Sequence, residues 1–247
     1  MKAGILRAGT SGIVVPGARE QRPENFQSAS RLTYYNSFFN TLEVNSTFRK
    51  IPRASTLERW SNEVSRNFTF TFKISRDITH VKQLEPAVGL LDKLIPELNN
   101  IGDKKGCLLI QFPGSVTDEY TKPVSKLLHR LHKLDKNNEW RKAVEFRSVS
   151  WYNDNTVKLL TRYNASLVLH DMPKSSSLAF DVPFSFGYFR YHGPTAKYRG
   201  SYEPDFLQNE ASKIRTLLDS GKDVYAYFNN TMGDAFQNAV TLKRMVG

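Results

Sequence analysis

The sequence has few features that would tie the protein to a membrane or to an oxidising compartment. Its one cysteine, Cys107, has no second cysteine to pair with and lies in the apolar run CLLIQF, so we interpret it as a buried apolar residue. No hydrophobic run approaches the roughly 20 residues that cross a bilayer, and the N-terminal MKAGILRAGT has no apolar signal-peptide core. We therefore expect a cytoplasmic protein with no membrane partner.

The chain also lacks the sequence motifs of common cofactor sites and the linkers that separate domains. The first predicted strand is not followed by GxGxxG, because the GTSG at 9–12 has too few glycines and precedes a polar loop. The chain also has no HExxH zinc motif. No linker or low-complexity segment divides the 247 residues, so we predict one domain over 1–247.

The chain is basic, with 35 Lys and Arg against 24 Asp and Glu, a formal net charge of +11. Such an excess attracts anions, including nucleic acid and phosphorylated metabolites. The basic residues are spread along the chain, so a generally basic surface explains the charge equally well.

Short strand-like runs with period-two patterning alternate with segments of helical patterning. The predicted strands are 2–8, 41–48, 68–75, 107–113, 142–147, 166–171, 187–193 and 223–230. The predicted helices are 25–39, 55–66 (with a capping box from Ser55 and Glu58), 84–98, 119–134, 154–163, 203–218 and 234–245. The Ser- and Pro-rich connection MPKSSSLAFDVPF is predicted to be a loop.

This alternation predicts an α/β protein with a parallel sheet, because parallel strands need crossover connections. Eight units favour closure into a single (β/α)8 TIM-type barrel, and an open doubly wound sheet is the alternative.

Polar and charged side chains lie at the end of every predicted strand, where such barrels place their ligand sites. Period-two geometry puts Glu43, Asn45 and Thr47 on one face of their strand. It does the same for Glu145 with Arg147 and for Arg190 with His192. Inward charges need partners or water, so this pattern predicts a ligand pocket or, alternatively, structural ion pairs.

The motifs GTSG, LEVNSTFRKIP, FTFKISRDITH, LLIQFPGS, AVEFRSVSW, HDMP, FRYHG and YFNN, in this order, resemble the YecE-like family, number 72 among the domains of unknown function. The resemblance covers nearly the whole chain and implies a TIM-barrel fold, with no established reaction. The site residues that it implies are Glu43, Asn45, Lys73, His80, Gln111, Glu145, Arg147, Trp151, Asp171, Arg190, His192, Asn229 and Asn230. The segment after GTSG lacks the aromatic residues usual in the family.

Three functions fit this pattern. The first is a hydrolase-like enzyme on a phosphate-bearing or nucleic-acid ligand, in which Glu145 or Asp171 is the general base and His192 or His170 the acid. Arg147, Arg190 and Lys73 would then bind phosphate oxygens. The second is acid–base chemistry on a sugar or polyol between Glu43 and Glu145, with Trp151 against the ring. The third is non-catalytic binding of nucleic acid or another anion through FRYHGPTAKYRGSY at 189–202.

The sequence leaves two alternatives for the cofactor, a divalent metal or none. Glu43, Glu145, His170, Asp171 and His192 offer nitrogen and oxygen ligands suited to zinc or manganese. Arginines at the same strand ends would repel a cation, so we predict no metal. The pocket hypothesis also predicts that Arg190→Ala abolishes ligand binding with little loss of stability, whereas a large fall in melting temperature would favour structural ion pairs.

Overall fold

The architecture is α/β. The computed structural model describes residues 3–81, 84, 87–181, 183–195 and 197–247. The strands are β1 Leu6–Thr10, β2 Thr41–Val44, β3 Thr69–Lys73, β4 Lys105–Phe112, β5 Arg141–Phe146, β6 Ala165–Leu167, β7 Leu169–His170, β8 Phe186–Tyr191 and β9 Asp223–Phe228. The helices are α1 Glu24–Gln27, α2 Arg31–Asn36, α3 Ala54–Asn62, α4 Arg76–Thr79, α5 Ala87–Leu98, α6 Thr121–Leu134, α7 Asp154–Arg162, α8 Pro204–Asp219 and α9 Ala235–Val246.

The strands form two parallel sheets, in the orders β1-β9-β8-β7 and β2-β3-β4-β5-β6. One isolated parallel bridge, from Ser11 to Glu43, connects the end of β1 with β2. At the other side, β6 and β7 are separated by Val168 alone. The predicted parallel α/β fold is confirmed, and each predicted strand has an observed strand within it or overlapping it.

One face of each sheet packs against the other sheet. The Tyr227 hydroxyl of β9 lies 2.6 Å from the Thr41 hydroxyl of β2 and 2.8 Å from the Thr71 hydroxyl of β3. An apolar cluster fills the space beside these contacts, formed by Cys107, Leu109, Ala143, Val168, Phe186, Tyr188, Tyr225 and Tyr227. Cys107 is buried in it, as predicted.

The opposite faces of the sheets pack against helices and form the larger core. Helix α6, for example, buries Val124, Leu127, Leu128 and Leu131, whose spacing of three and four places them on one side of the helix. No helix within the described ranges has the length and the apolarity needed to cross a membrane.

The predicted strand at 41–48 is wrong in its second half. Strand β2 ends at Val44, and Ser46–Phe48 form a 3-10 turn. The Thr47 hydroxyl donates to the Val44 carbonyl and to the Lys73 carbonyl, at 2.9 and 2.7 Å. Thr47 therefore anchors the turn instead of continuing the face of Glu43.

Two helix predictions are also corrected. The segment predicted as 25–39 is divided into α1 and α2, because the Ser30 hydroxyl accepts a hydrogen bond from the Thr33 backbone amide and begins a new helix. The capping box is wrong, since Ser55 lies inside α3, whose N-cap is Arg53. The other helices agree with their predictions to within a few residues, and 85–86 of the predicted helix 84–98 lie outside the described residues. The predicted loop before β8 has no helix in its described part, 172–181 and 183–184.

Candidate functional site

Arg190 joins the two sheets by binding two carboxylates at once. Its Nε and Nη2 donate to the two oxygens of Glu43, at 3.0 and 2.8 Å, and its Nη1 donates to Glu145 at 2.6 Å. Glu43 and Glu145 are fully buried and Arg190 is 1% exposed. Because β2, β5 and β8 are parallel, their ends meet at one edge, and the sequence prediction that these charges come together is fulfilled there.

Glu43 has two further donors. The Ser11 hydroxyl donates to one carboxylate oxygen at 2.6 Å and the Tyr188 hydroxyl to the other at 2.7 Å. Burial alone would raise the pKa of Glu43, but Arg190 outweighs it and holds the pKa below its usual value. Glu43 is therefore an ionised and saturated structural acceptor.

Glu145 has a second arginine, because the Arg147 Nε also donates to it. Burial would raise the pKa of Glu145, but Arg147 and Arg190 together hold it well below its usual range. The same two cations keep it from taking a proton at neutral pH. The predicted role of Glu145 as a general base is therefore not supported, since a fully buried carboxylate with so low a pKa neither reaches a ligand nor accepts a proton readily.

His192 lies between a carboxylate and two guanidinium groups. Its Nδ1 is 3.0 Å from an Asp171 oxygen, and its Nε2 is 3.0 Å from Arg147 Nη2 and 3.3 Å from Arg190 Nη1. A carboxylate only accepts and a guanidinium only donates, so the neutral tautomer with its proton on Nδ1 satisfies both sides. Burial, opposed by Asp171, lowers the pKa of His192.

Asp171 is held in place by more than the imidazole. It accepts a hydrogen bond from the backbone amide of His192 at 2.8 Å and another from the Tyr202 hydroxyl. Asp171 thus orients His192 with Nε2 as an acceptor, which suits a base. The predicted role of His192 as an acid is not supported, because the ring is neutral at pH 7.

His170 is neutral for a similar reason. Its Nε2 lies 3.1 Å from the Phe146 carbonyl and 3.1 Å from the Tyr152 hydroxyl, while its Nδ1 accepts from the Met172 amide. Burial lowers the pKa of His170 to about 4. This histidine therefore is not an acid at neutral pH.

Three cationic or basic residues lie at the more open side of this cluster. Arg147 keeps 14% of its side chain exposed, Lys73 is half-buried and His80 is exposed. The Lys73 Nζ lies 4.2 Å from the centre of the Phe48 ring, and the same ring contacts His80 edge-on at 5.0 Å. Arg147 and Lys73 therefore face solvent more than Glu43 and Glu145 do.

The remaining predicted residues divide into two groups. Asn45, Gln111 and Asn229 are half-buried at or next to strand ends. Asn230 is buried and donates to the Gly200 carbonyl and to Asn238, which fixes the loop before α8. Trp151 is buried against Phe146 at 4.1 Å and donates to the Val116 carbonyl, so its predicted contact with a ligand is corrected to packing.

The geometry also argues against the sugar hypothesis. A glycosidase needs one carboxylic acid with a raised pKa, whereas both Glu43 and Glu145 have lowered pKa values and share Arg190. Both carboxylates are fully buried, so a glycosidic bond cannot lie between them. In the described part of the chain, no group of three His, Cys, Asp or Glu side chains is placed to hold a metal ion.

Sequence reasoning missed Tyr188, Tyr202 and Phe48. Tyr188 shares the period-two face of Arg190 and His192, so the strand pattern contained a signal for it. Tyr202 and Phe48 lie in loops, where the sequence offers no spacing rule.

Comparisons with known proteins agree on the fold. The chain matches the family model described as "Protein of unknown function DUF72" over residues 7–247. A DUF72 family protein from Enterococcus faecalis V583 is similar in structure, with a TM-score of 0.77 and 21% sequence identity, over 98% of this chain and 95% of that one. A DUF72 family protein from Thermotoga maritima MSB8 has a TM-score of 0.72 and 22% identity, over 98% and 99%. No curated protein matches the chain.

Proposed function

The chain belongs to the DUF72 family of proteins of unknown function, and we propose that it binds a phosphate-bearing small molecule at the strand ends above Arg190. The ligand's phosphate would lie against Arg147, with Lys73 beside the rest of the ligand and His80 at the outer edge. We propose further that the protein acts on this ligand by proton transfer, as a hydrolase-like enzyme.

The proposal rests on the difference in burial between the carboxylates and the cations of the cluster. Glu43 and Glu145 are fully buried and already paired, whereas Arg147 and Lys73 are half-buried on the open side. An approaching ligand therefore meets positive charge first, in a partly desolvated setting where electrostatic attraction is stronger than in bulk water. An anion fits this surface and a cation does not.

Arg147 has N–H groups that no protein acceptor within the described ranges uses and that could donate to a phosphate. A guanidinium carries five N–H donors, of which Nε is used by Glu145 and one on Nη2 by His192. A phosphate that drew Nη2 towards itself would remove the shorter of the two guanidinium contacts to His192 Nε2 and leave only the contact from Arg190 Nη1, at 3.3 Å. His192, which is fully buried, would then serve as a general base once Arg147 moved aside and exposed it, and Asp171 would hold its orientation.

Binding of inorganic phosphate, measured by titration calorimetry, tests the first part. Arg147→Met should weaken phosphate binding about tenfold or more, because it removes a charge-assisted donor pair. Arg162→Met, which alters an exposed arginine of α7, is the matched control and should leave binding unchanged. Equal affinity in wild type and Arg147→Met would refute the site.

The catalytic part needs a separate measurement. We expect Asp171→Asn to abolish release of nitrophenol from bis(p-nitrophenyl) phosphate while phosphate binding persists, because the asparagine no longer fixes the His192 tautomer. Turnover equal to wild type would remove His192 and Asp171 from the mechanism and leave a binding protein.

A second candidate, nucleic-acid binding, is favoured by one observation. Tyr198 is 38% exposed and its ring contacts His192 at 5.8 Å, and exposed Lys197 and Arg199 flank it. An aromatic side chain between two cations suits stacking with a base plus phosphate contact. Binding of a single-stranded oligonucleotide that weakens steeply with salt and is lost in Tyr198→Ala would support this function.

We also infer that the two sheets are arcs of one (β/α)8 barrel formed by a single domain, 1–247. The alternation of strands and helices, the Ser11–Glu43 bridge and the one-residue gap between β6 and β7 support this inference. Unfolding in one cooperative transition by two spectroscopic probes is the expected result.

A further inference from the structure

Lys73 has an unusual position among the lysines of the chain. It is the last residue of β3, and the turn that carries Phe48 is fixed over it by the hydrogen bond from the Thr47 hydroxyl to the Lys73 carbonyl. The ammonium therefore lies against an aromatic face at 4.2 Å, half-buried, at the same edge as Arg147.

Among the residues that the structure describes, Lys73 has no counter-ion of its own. Across the described residues, no carboxylate forms an ion pair with its Nζ and no acceptor forms a hydrogen bond with it. The nearby carboxylates, Glu43 and Glu145, are already bound by Arg190 and Arg147. The amine is thus left available on the open side of the cluster.

The electrostatic surroundings of Lys73 favour the neutral amine. Burial, followed by repulsion from Arg190, lowers the pKa of Lys73 to about 8, although Glu145 and Glu43 oppose the shift. The lowering therefore persists against the two carboxylates nearby. With such a pKa about one molecule in ten carries a free amine at pH 7, several hundredfold more than an ordinary lysine provides.

We propose that Lys73 is a nucleophile that forms an imine with an aldehyde or ketone bearing a phosphate group. This inference rests on the proposed function, because the phosphate bound by Arg147 would hold the carbonyl carbon against Nζ. It assigns to the site a substrate class and a covalent step that the phosphate contacts alone do not imply.

The step balances without any further reactant. The neutral Nζ adds to the carbonyl carbon, a C–N bond forms, and the electron pair of the C=O π bond moves to oxygen, which takes a proton while nitrogen loses one. The carbinolamine then loses its oxygen as water, and a C=N bond forms. The products are one imine and one water for each amine and carbonyl consumed.

Trapping by reduction tests the proposal. Full-length protein at pH 7 is mixed with pyridoxal 5′-phosphate or with pyridoxal, the matched aldehyde without phosphate, then reduced with borohydride, digested and analysed by mass spectrometry. We expect Lys73 to be labelled by the phosphorylated aldehyde roughly 10- to 100-fold faster than the exposed Lys136, because its larger neutral fraction is partly offset by the weaker nucleophilicity of a less basic amine. Pyridoxal should show a smaller preference for Lys73 over Lys136 than the phosphorylated aldehyde does, and inorganic phosphate should compete with the phosphorylated aldehyde.

Two variants and one binding measurement keep the outcomes distinct. Lys73→Arg keeps the positive charge and should bind phosphate but lose the label, whereas Lys136→Arg should keep both. If phosphate binds and Lys73 is labelled no faster than Lys136, the imine proposal fails and the proposed function stands. If Lys73 is labelled equally by both aldehydes and phosphate does not bind, the proposed function fails, and the phosphate-bearing substrate with it.

Discussion

Replacing Arg190 with methionine removes the cation that lies between two fully buried carboxylates. Methionine replaces the aliphatic part of the arginine side chain but leaves the space of the guanidinium group empty, so the effects of charge and of packing must be separated by a second measurement. Arg147 still neutralises Glu145 in this variant, but Glu43 keeps only the hydroxyls of Ser11 and Tyr188. Glu43 is therefore the group left buried and ionised without a cation.

The magnitude follows from that unpaired charge. Removing one partner of a buried ion pair costs about 3–5 kcal/mol of unfolding free energy. For a domain of this size each kcal/mol lowers the melting temperature by about 2–4 °C, so Arg190→Met should melt roughly 10 °C below the wild type. The exposed pair of Arg130 and Asp92 offers a control, and Arg130→Met should cost about 1 kcal/mol or less.

The pH dependence distinguishes a lost charge from poor packing. In the wild type the pKa of Glu43 is lowered by folding, so its contribution to stability is present above about 4.5 and is lost as the pH falls through the folded-state pKa. In Arg190→Met, burial acts without the opposing arginine and raises that pKa. Glu43 then takes up a proton, and we expect the stability deficit to shrink between pH 7 and pH 5.

Urea denaturation and thermal melting at several pH values, both followed by circular dichroism, measure the unfolding free energy and the melting temperature. A melting temperature within about 2 °C of the wild type would refute the structural role of Arg190 and restore the expectation drawn from the sequence alone. A deficit of the expected size that stays constant with pH would point to a packing defect instead of an uncompensated Glu43.

Three further results are expected. Lys73→Met should raise the melting temperature by a few degrees at pH 7, because the lowered pKa of Lys73 means that folding disfavours its ammonium form. The gain should vanish above about pH 10, where the lysine of the unfolded chain also loses its proton, and a lower melting temperature at pH 7 would contradict the reasoning. Gly9→Ala should destabilise the protein by about 1–3 kcal/mol, since the new Cβ would lie 2.6 Å from the Thr41 carbonyl oxygen; unchanged urea stability would show that the strand moves freely. Nitrogen-15 NMR should find His192 neutral at pH 7 with its proton on Nδ1, and Asp171→Asn should disturb that tautomer; a charged ring would refute the proposed base.

The sequence by itself determined where the strands lie and which of their ends are polar. Strand period and strand composition are local properties, so β4, β5 and β9 could be placed to within about two residues of their observed bounds. Parallel strands must also present their carboxyl ends at one edge, so the sequence alone predicts that Glu43, Glu145 and Arg190 lie close together.

Local hydrogen bonds set the limits of that prediction. Thr47 continues the alternation of β2 in the sequence, but its hydroxyl finds two carbonyl acceptors and turns the chain after Val44. Ser30 breaks a continuous apolar pattern by capping a new helix. Side chains that can bond to the backbone in more than one way make such boundaries depend on their neighbours.

Only the tertiary structure decided which charges neutralise one another and which remain open. Arg190 and Glu43 are 147 positions apart in the chain, and their bidentate contact depends on how the two sheets meet. The packing of the two sheets against each other buries Glu43 and Glu145 and leaves Arg147 and Lys73 nearer to solvent. Burial and pairing depend on the distances between groups from many strands, and a sequence records the groups but not those distances.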